Sequence, residues 1–327
     1  MKLQSIEFEG VVTALTSIYH GGGQSFGVNS LLRREKFVQP GGTVEEVPVI
    51  SGNAVRGMLR DKGMYQMCRA LGYGDEDATG KPKGLSLPAY YFLFSGGSLT
   101  NVGGRGLDID KARELRQLIP LVGIFGGAMG NQILPGKLKV DKMIPICQET
   151  AHLLPERYVN GHGKLSVWDI LQEEMYTRKD DEKDEHKRML IDRDVRKLLE
   201  VEASSKRNAA NQPVTQEDTG QKQQMMYFVE TLAAGTQLYW SIVLDQVTDL
   251  ELEAFAVCLA EFARDPHIGA KSNVGHGKVS VKFDNWHNID PRMAPTGTEV
   301  ALPLGKAYQQ HLESNGDAIR QALKEMA

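Results

Sequence analysis

Residues 268–279 read Ile268-Gly269-Ala270-Lys271-Ser272-Asn273-Val274-Gly275-His276-Gly277-Lys278-Val279, a glycine-rich loop running into a strand. After it, Val279, Val281 and Phe283 alternate with Lys278, Ser280 and Lys282, the period-2 pattern of a half-buried strand. Gly269, Gly275 and Gly277 let the backbone bend where side chains would clash, and they bare amide N–H groups that suit an anion. Lys271, Ser272, Asn273, His276 and Lys278 add cationic and hydrogen-bonding groups. The loop therefore reads as a phosphate contact or, in a purely structural role, as a hairpin turn. It is not a P-loop, which needs four residues between its glycine and Gly-Lys-Ser/Thr; five lie between Gly269 and Gly275, and Val279 follows Lys278.

The chain of 327 residues is 41% hydrophobic, enough for a sizeable core in one elaborated domain or two. No run approaches the ~18 apolar residues of a membrane span. The start, Met1 to Glu7, reads as a strand without the apolar core of a signal peptide, so the expected location is the cytoplasm with no membrane partner. Cys68, Cys147 and Cys258 are far apart and lack nearby histidines, which argues for buried thiols and against a disulfide framework or a zinc site. No metal and no cofactor are expected. A net charge of −4 argues against nucleic-acid binding through bulk charge, though not against a local basic track.

In chain order, Ile6 and Phe8 begin a long strand that continues through Val11 to Ile18, with a bulge expected at Gly10. A second glycine-rich turn, His20 to Asn29, is followed by Arg33, Arg34 and Lys36. Within it, Gly23-Gln24-Ser25-Phe26-Gly27 matches the G-x-S-x-G nucleophile elbow, the best enzyme signature in the chain. That elbow belongs to a mostly parallel sheet with alternating helices, whereas this sequence shows long strands and few helix–strand alternations.

A short strand at Pro48 to Ile50 leads to a helix that Ser51 or Asn53 can cap. Arg56 and Arg60 stand four apart on that helix, as a pair for consecutive phosphates or as a solvated face. Residues 73–118 are turn-rich and end in a helix near Lys111 to Ile119; Gly136 to Asp141 is a strand. A helix is expected around Val167 to Met175, followed by the mixed-charge run Arg178 to Arg188. The polar stretch from Ala203 to Gln224 suggests an arm that orders on a partner, with Lys206 and Arg207 available to phosphate. Leu238, Trp240, Ile242 and Leu244 alternate along a strand expected to begin near Tyr227. Thr248-Asp249-Leu250-Glu251 is a capping box, opening a helix that Pro266 closes. A last amphipathic helix is expected at about Gly316 to Met326.

The core order strand, helix, strand, strand, helix, strand is that of ferredoxin-like, RNA-recognition-motif (RRM) domains, an α+β class. It gives a discontinuous palm of residues 1–60, 119–146 and 226–290. Two large insertions interrupt it: 61–118, and a helical one at 147–225. Residues 291–327 form a tail. Four stretches, in order, resemble the CRISPR repeat-associated (RAMP) superfamily. Ile50 to Arg60 is similar to its "I-P-G-S-S-L-K-G-x-L-R" segment and Gly123-Ile124-Phe125-Gly126 to its "L-F-G". Phe228 to Thr236 resembles its "E-x-x-x-x-G-T" strand and residues 268–279 its C-terminal glycine-rich loop.

The resemblance is greatest to the guide-RNA (crRNA)-binding backbone subunit of class 1 effectors, most like that of type IV. It implies a finger in the first insertion, a thumb hairpin in the second, and copies stacked head to tail as a helical filament along guide RNA. The implied partners are crRNA, target nucleic acid through the guide, a large subunit, a RAMP cap subunit and a guide-processing nuclease. The implied RNA-binding residues are Lys271, Ser272, Asn273, Arg56, Arg60, Ser51, Asn53, His20, Asn29, Arg33, Arg34, His276, Lys206 and Arg207. Here the family's proline is Ser51, its two serines are Asn53 and Ala54, and its lysine is Arg56. RNA-cleaving type III relatives resemble "G-G-V-D-N", and Asn29 stands at the position of their catalytic aspartate. A carboxamide cannot act as a base at neutral pH, so the expectation is a binder with no cleavage activity. The alternatives are a type III-like endoribonuclease using another acid and, more distantly, a hydrolase using Ser25.

Overall fold

The computed structural model describes residues 3–26, 29–76, 80, 83–97, 109–129, 132–159, 164–178, 225–282, 286–288 and 303–326. They fall into two compact units. The larger comprises Met1–Gly23, Leu32–Gln172 and Thr231–Ala327, the smaller Gln24–Leu31 and Glu173–Glu230. The fold is mixed α+β, with mostly antiparallel strand pairs and several helices.

The first elements are β1 (Gln4–Ala14), β2 (Gly21–Phe26), β3 (Asn29–Leu32), β4 (Arg34–Val38), β5 (Val44–Pro48) and α1 (Gly52–Ala70). Next come α2 (Leu87–Tyr90), a π-helical turn at Tyr91–Ser95, α3 (Ile109–Leu118) and α4 (Pro120–Phe125). The short strands β6 (Gly127–Met129), β7 (Gln132–Leu134), β8 (Leu138–Val140) and β9 (Ile144–Pro145) follow, and then α5 (Glu156–Val159). The remainder is β10 (Leu171–Arg178), β11 (Met225–Leu232), β12 (Gln237–Val247), α6 (Asp249–Arg264), β13 (Val279–Lys282), β14 (Trp286–Asn288) and α7 (Lys306–Lys324).

The main sheet of the larger unit is antiparallel in the order β13-β1-β12-β8, with β14 also beside β1 and β9 beside β12. Ile6 faces Leu244 across the central pair, Phe8 faces Ile242 and Val12 faces Leu238. The alternation read from sequence puts Leu238, Trp240, Ile242 and Leu244 on one face, and all four are buried beside Ile6, Phe8 and Val12. Trp240 meets Phe8 edge-on at 5.9 Å and Phe262 of α6 at 6.4 Å, tying sheet to helix. The expected capping box starts α6: Glu251 N–H donates to Thr248 Oγ1 at 3.2 Å, and Thr248 N–H to Glu251 Oε2 at 2.8 Å.

Several expectations need correction. β1 ends at Ala14 and its register slips between Gln4 and Ile6, while Gly10 pairs regularly with Trp240. Gly21–Phe26 is strand β2, not a turn. The helix expected at Val167 to Met175 is a 3₁₀ turn, Val167–Ile170, leading into strand β10. Strand partners override the local pattern there: β11 lies alongside β10, and the Tyr176 and Tyr227 rings stack at 5.5 Å. The strand expected from Tyr227 to Leu244 is two, β11 and β12, separated by a turn in which Gly235 takes φ 91°. The last helix starts at Lys306, because Glu253 of α6 accepts the Ala307 and Tyr308 N–H groups at 2.6 and 3.1 Å. It is docked, with Tyr308, Leu312, Ile319 and Leu323 buried. The stretch Ala203 to Gln224, with Lys206 and Arg207, and the charged run after Arg178 lie outside the described residues.

Helices α1 and α6 cross closely at Gly63, where a Cβ would strike Cys258 Sγ, whereas a Cβ on Gly57 of the same helix would meet nothing within 4 Å. Gly63→Val is therefore expected to destabilise the protein by roughly 1–3 kcal/mol through overpacking. Gly57→Ala should instead stabilise it by roughly 0.5–1 kcal/mol through helix propensity. Urea denaturation of the two variants beside the wild type checks both signs.

Candidate nucleic-acid interface

The glycine-rich loop is held by backbone bonds on both sides. Ala270 N–H donates to Tyr19 O at 2.7 Å, Ile268 N–H to Gly277 O at 2.9 Å and Gly277 N–H to Ser17 O at 2.8 Å. A Cβ at Gly269 would strike the Tyr19 carbonyl and one at Gly277 the Ile268 carbonyl, so these approaches need glycine, at φ 79° and 83°. Lys271 takes a left-handed φ of 63°, unusual for a residue with a side chain. Its carbonyl accepts from Val274 N–H at 3.1 Å and His276 N–H at 3.3 Å, closing a 3₁₀ turn at Ser272–Val274.

This folding displays Ser272, Asn273, Val274 and Gly275 on the surface. The Lys271 ammonium lies 5.5 Å from the centre of the Tyr19 ring. His276 behaves differently from the sequence expectation: it is 1% exposed, with Nδ1 3.0 Å from Ser17 Oγ. It pins the loop from inside and presents no group to an incoming phosphate.

The residue after Tyr19 reaches the start of α1. Ser51 N–H donates to His20 Nε2 at 3.2 Å, and Ser51 Oγ accepts from Ala54 N–H at 3.2 Å, the helix cap anticipated from sequence. His20 O accepts from Arg33 N–H at 2.8 Å. The segment Tyr19–His20 thus joins the loop to the α1 N-terminus, with Arg33 and Asn53 exposed nearby in sequence to those contacts and Arg34 half-buried. An imidazole nitrogen that accepts a hydrogen bond is unprotonated. Burial, and then the Arg33 charge, accordingly hold the His20 pKa below its ordinary 6.5.

The two α1 arginines have partners inside the fold. Arg60 Nη2 donates to Phe125 O at 2.6 Å and Gly126 O at 3.1 Å, and its guanidinium sits over the Phe125 ring. Arg56 also donates to Phe125 O. Both neutralise carbonyls at the C-terminal end of α4. Arg60 is buried, so the pair that the i,i+4 spacing offered to consecutive phosphates, or as a solvated face, is instead a helix-end clamp, and only half-buried Arg56 keeps an open side.

Asn29 belongs to the smaller unit, where it opens β3 and pairs in parallel with Phe228 of β11. Ser25 lies within extended β2, and two residues separate that strand from β3. A nucleophile elbow needs a sharp strand-to-helix turn, which this succession of strands lacks. Cysteine nucleophiles are equally poor candidates: burial pushes Cys147 up to about 11 and Cys68 up to about 12, and it raises Cys258 further. Among the described residues no three His, Cys, Asp or Glu side chains are grouped to hold a metal ion, and no helix is long and apolar enough to cross a membrane.

Sequence reasoning missed Tyr19, which lies at the end of an expected strand with no motif around it. It also missed the character of the sheet face turned away from Phe8 and Trp240. There Glu9 is 7% exposed, pairs with Arg157 and accepts from Tyr239 Oη at 2.6 Å. Tyr158 packs on Tyr239 at 5.2 Å within a small cluster with Ile146 and Leu154. An acidic, covered face is a poor surface for phosphate.

Because folding lowers the His20 pKa, its contribution to stability is full above its ordinary 6.5 and is lost as pH falls through the lower folded value. Between about pH 8 and about pH 5 the urea midpoint is expected to fall less in His20→Gln than in the wild type, since the amide can accept the Ser51 bond but does not titrate. Equal slopes would show that the imidazole does not carry this dependence.

No family model matches the sequence, and no curated protein matches it. Among solved structures, a chain described as "Type IV-B CRISPR Complex" shares the fold, with a TM-score of 0.52 and 24% sequence identity over 85% of this chain and 90% of that one.

Proposed function

We propose that this chain is a guide-RNA-binding backbone subunit of a class 1 CRISPR effector, of type IV, that holds the guide for target pairing and does not itself cut. The observation that carries the reading is the displayed turn Lys271–Asn273, joined through Tyr19–His20 to the capped N-terminus of α1. Hydroxyl and carboxamide groups and a cation are collected there on a turn closed by backbone hydrogen bonds, the chemistry of a sequence-independent phosphate contact. The strand order β13-β1-β12-β8, with α1 following β1 and α6 following β12, supports a ferredoxin-like palm. The order of the four sequence motifs and the likeness to a Type IV-B CRISPR complex chain support the assignment to such a complex.

Asn29 supports the non-catalytic part, since its carboxamide neither takes a proton nor binds a divalent cation as a carboxylate would. In this reading the partners are crRNA, further copies of the chain in a head-to-tail filament, and the other effector subunits; target nucleic acid is met through the guide. Heterologous contacts that do not close on themselves generate such filaments.

Co-expression with a guide array should yield guide RNA protected along its length by several protein copies, as read by native mass and sequencing. Nucleic-acid-free monomers that also ignore added single-stranded RNA would overturn the proposal. Lys271→Ala should weaken RNA binding and reduce the slope of log affinity against log salt by about 0.7, the value of one phosphate contact on a single strand. Target RNA incubated with the complex and Mg2+ should stay intact on a denaturing gel.

A further inference from the structure

Beyond Tyr65, the outer side of α1 faces the segment that carries α2 and the π-helical turn, and together they enclose an open cavity of about 440 Å³. That volume lies in the range of roughly 300–1,000 Å³ typical of ligand sites. Its walls include Tyr65, Tyr73, Tyr90 and Phe94, with Arg69 and Lys83 as the charged members and no carboxylate in the lining among the described residues. This is a local inversion of charge on a chain of net −4. Arg69 leans on Asp75 outside the lining only through a long contact of 3.5 Å, with both side chains more than half exposed.

The rings are displayed at a cost. Tyr65 is 62% exposed, Leu87 64% and Tyr90 49%, a concentration of apolar surface that a purely structural helix face would bury. Tyr90 leads into the π-turn and meets Phe94 at 5.1 Å with the rings tilted by 37°. Widened turns of this kind are rare and are found disproportionately at functional sites.

We propose that this groove is a second nucleic-acid contact, receiving unpaired bases on Tyr65 and Tyr90 while Arg69 and Lys83 meet the adjoining phosphates. Charge complementarity and ring faces select the occupant: a single strand offers an anionic backbone beside flat bases, and base–aromatic stacking tolerates any sequence. The proposal rests on the RNA-binding reading but uses none of its residues. At a rise of about 1.5 Å per residue, Tyr65 lies roughly 20 Å along α1 from Ser51, so this is a separate patch and not an extension of the glycine loop.

The test uses the full chain freed of RNA and an oligouridylate carrying 5-iodouracil, cross-linked by near-ultraviolet light and mapped by mass spectrometry. Peptides containing Tyr65 or Tyr90 should carry the label. Tyr65→Ala/Tyr90→Ala should abolish those cross-links and lower affinity by about thirtyfold or more, the size of two stacked bases, whereas Tyr65→Phe/Tyr90→Phe should keep both. These rings are exposed, and an unchanged melting curve verifies the fold of each variant. Lys271→Ala run in parallel separates the two readings. If Lys271→Ala weakens binding while the double alanine variant does not, or if cross-links are confined to the loop, the groove is not a nucleic-acid site and its rings serve a protein partner. If the wild type binds no oligonucleotide, both readings fail.

Discussion

The pairing of β1 with β12 is the constraint on which the larger unit depends. It joins the first strand of the chain to one that begins at Gln237, in a continuous antiparallel register from Ile6–Leu244 to Thr13–Gln237. Closing so long a loop costs entropy that grows only logarithmically with its length, so long segments can depart between the two strands without unbalancing the fold. What the register must provide is burial, and it does so through one stack: Phe8 against Trp240, and Trp240 against Phe262. Once Trp240 is fixed, α6 is placed on the sheet, and Gly63 lets α1 come against α6. The α1 N-terminus is then held by Ser51 and His20 beside the glycine loop.

Several charged side chains of this unit are spent on helix ends. The carbonyls of Phe125 and Gly126 are taken by Arg60, the carbonyl of Leu71 after α1 by Arg320 at 3.0 Å, and the first amides of α7 by Glu253. Glu251 both closes the α6 capping box and binds Lys137 at 2.6 Å. Hydrogen bonds to charged groups contribute about 1.5–3 kcal/mol, and a buried carbonyl left without a donor costs a similar amount. An arginine such as Arg60 is therefore worth more to the fold than to an exposed phosphate.

What was legible in the sequence was whatever depends on near neighbours. The alternation from Leu238 to Leu244, the capping box at Thr248 and the cap at Ser51 are local rules, and each gave the observed element. Long-range partners decided the rest. β10 is a strand because β11 lies beside it, and Gly21–Phe26 is extended despite three successive glycines. The last helix was expected from about Gly316, but Gly316 sits inside α7 against Leu71. At the candidate site the loop, Lys271 and the cap were readable because glycines and cappers carry their conformational reasons with them. The burial of His276 and Arg60 was not readable, because it depends on Ser17 and Phe125, remote in sequence. Tyr19 carried no signal at all.

The electrostatics of the sheet bear on where a polyanion can lie. An RRM-type domain can bind a strand on the open face of its sheet, by stacking bases on aromatic side chains. In this sheet the face turned away from Phe8 and Trp240 carries Glu7 and Glu9, and Tyr239 beside them has its hydroxyl committed to Glu9 and its ring to Tyr158. Burial first, with Tyr158 and Glu7 adding to it, pushes the Tyr239 pKa up to about 12, so the phenol remains a donor and keeps Glu9 in place. A phosphate approaching this face would meet two carboxylates and would have to displace Arg157 from Glu9. By contrast the loop beside Tyr19 and His20 exposes Ser272 and Asn273 and contains no carboxylate between Ile268 and Val279. If the chain holds RNA as proposed, the strand would pass the edge of the sheet at the glycine loop instead of crossing its flat face.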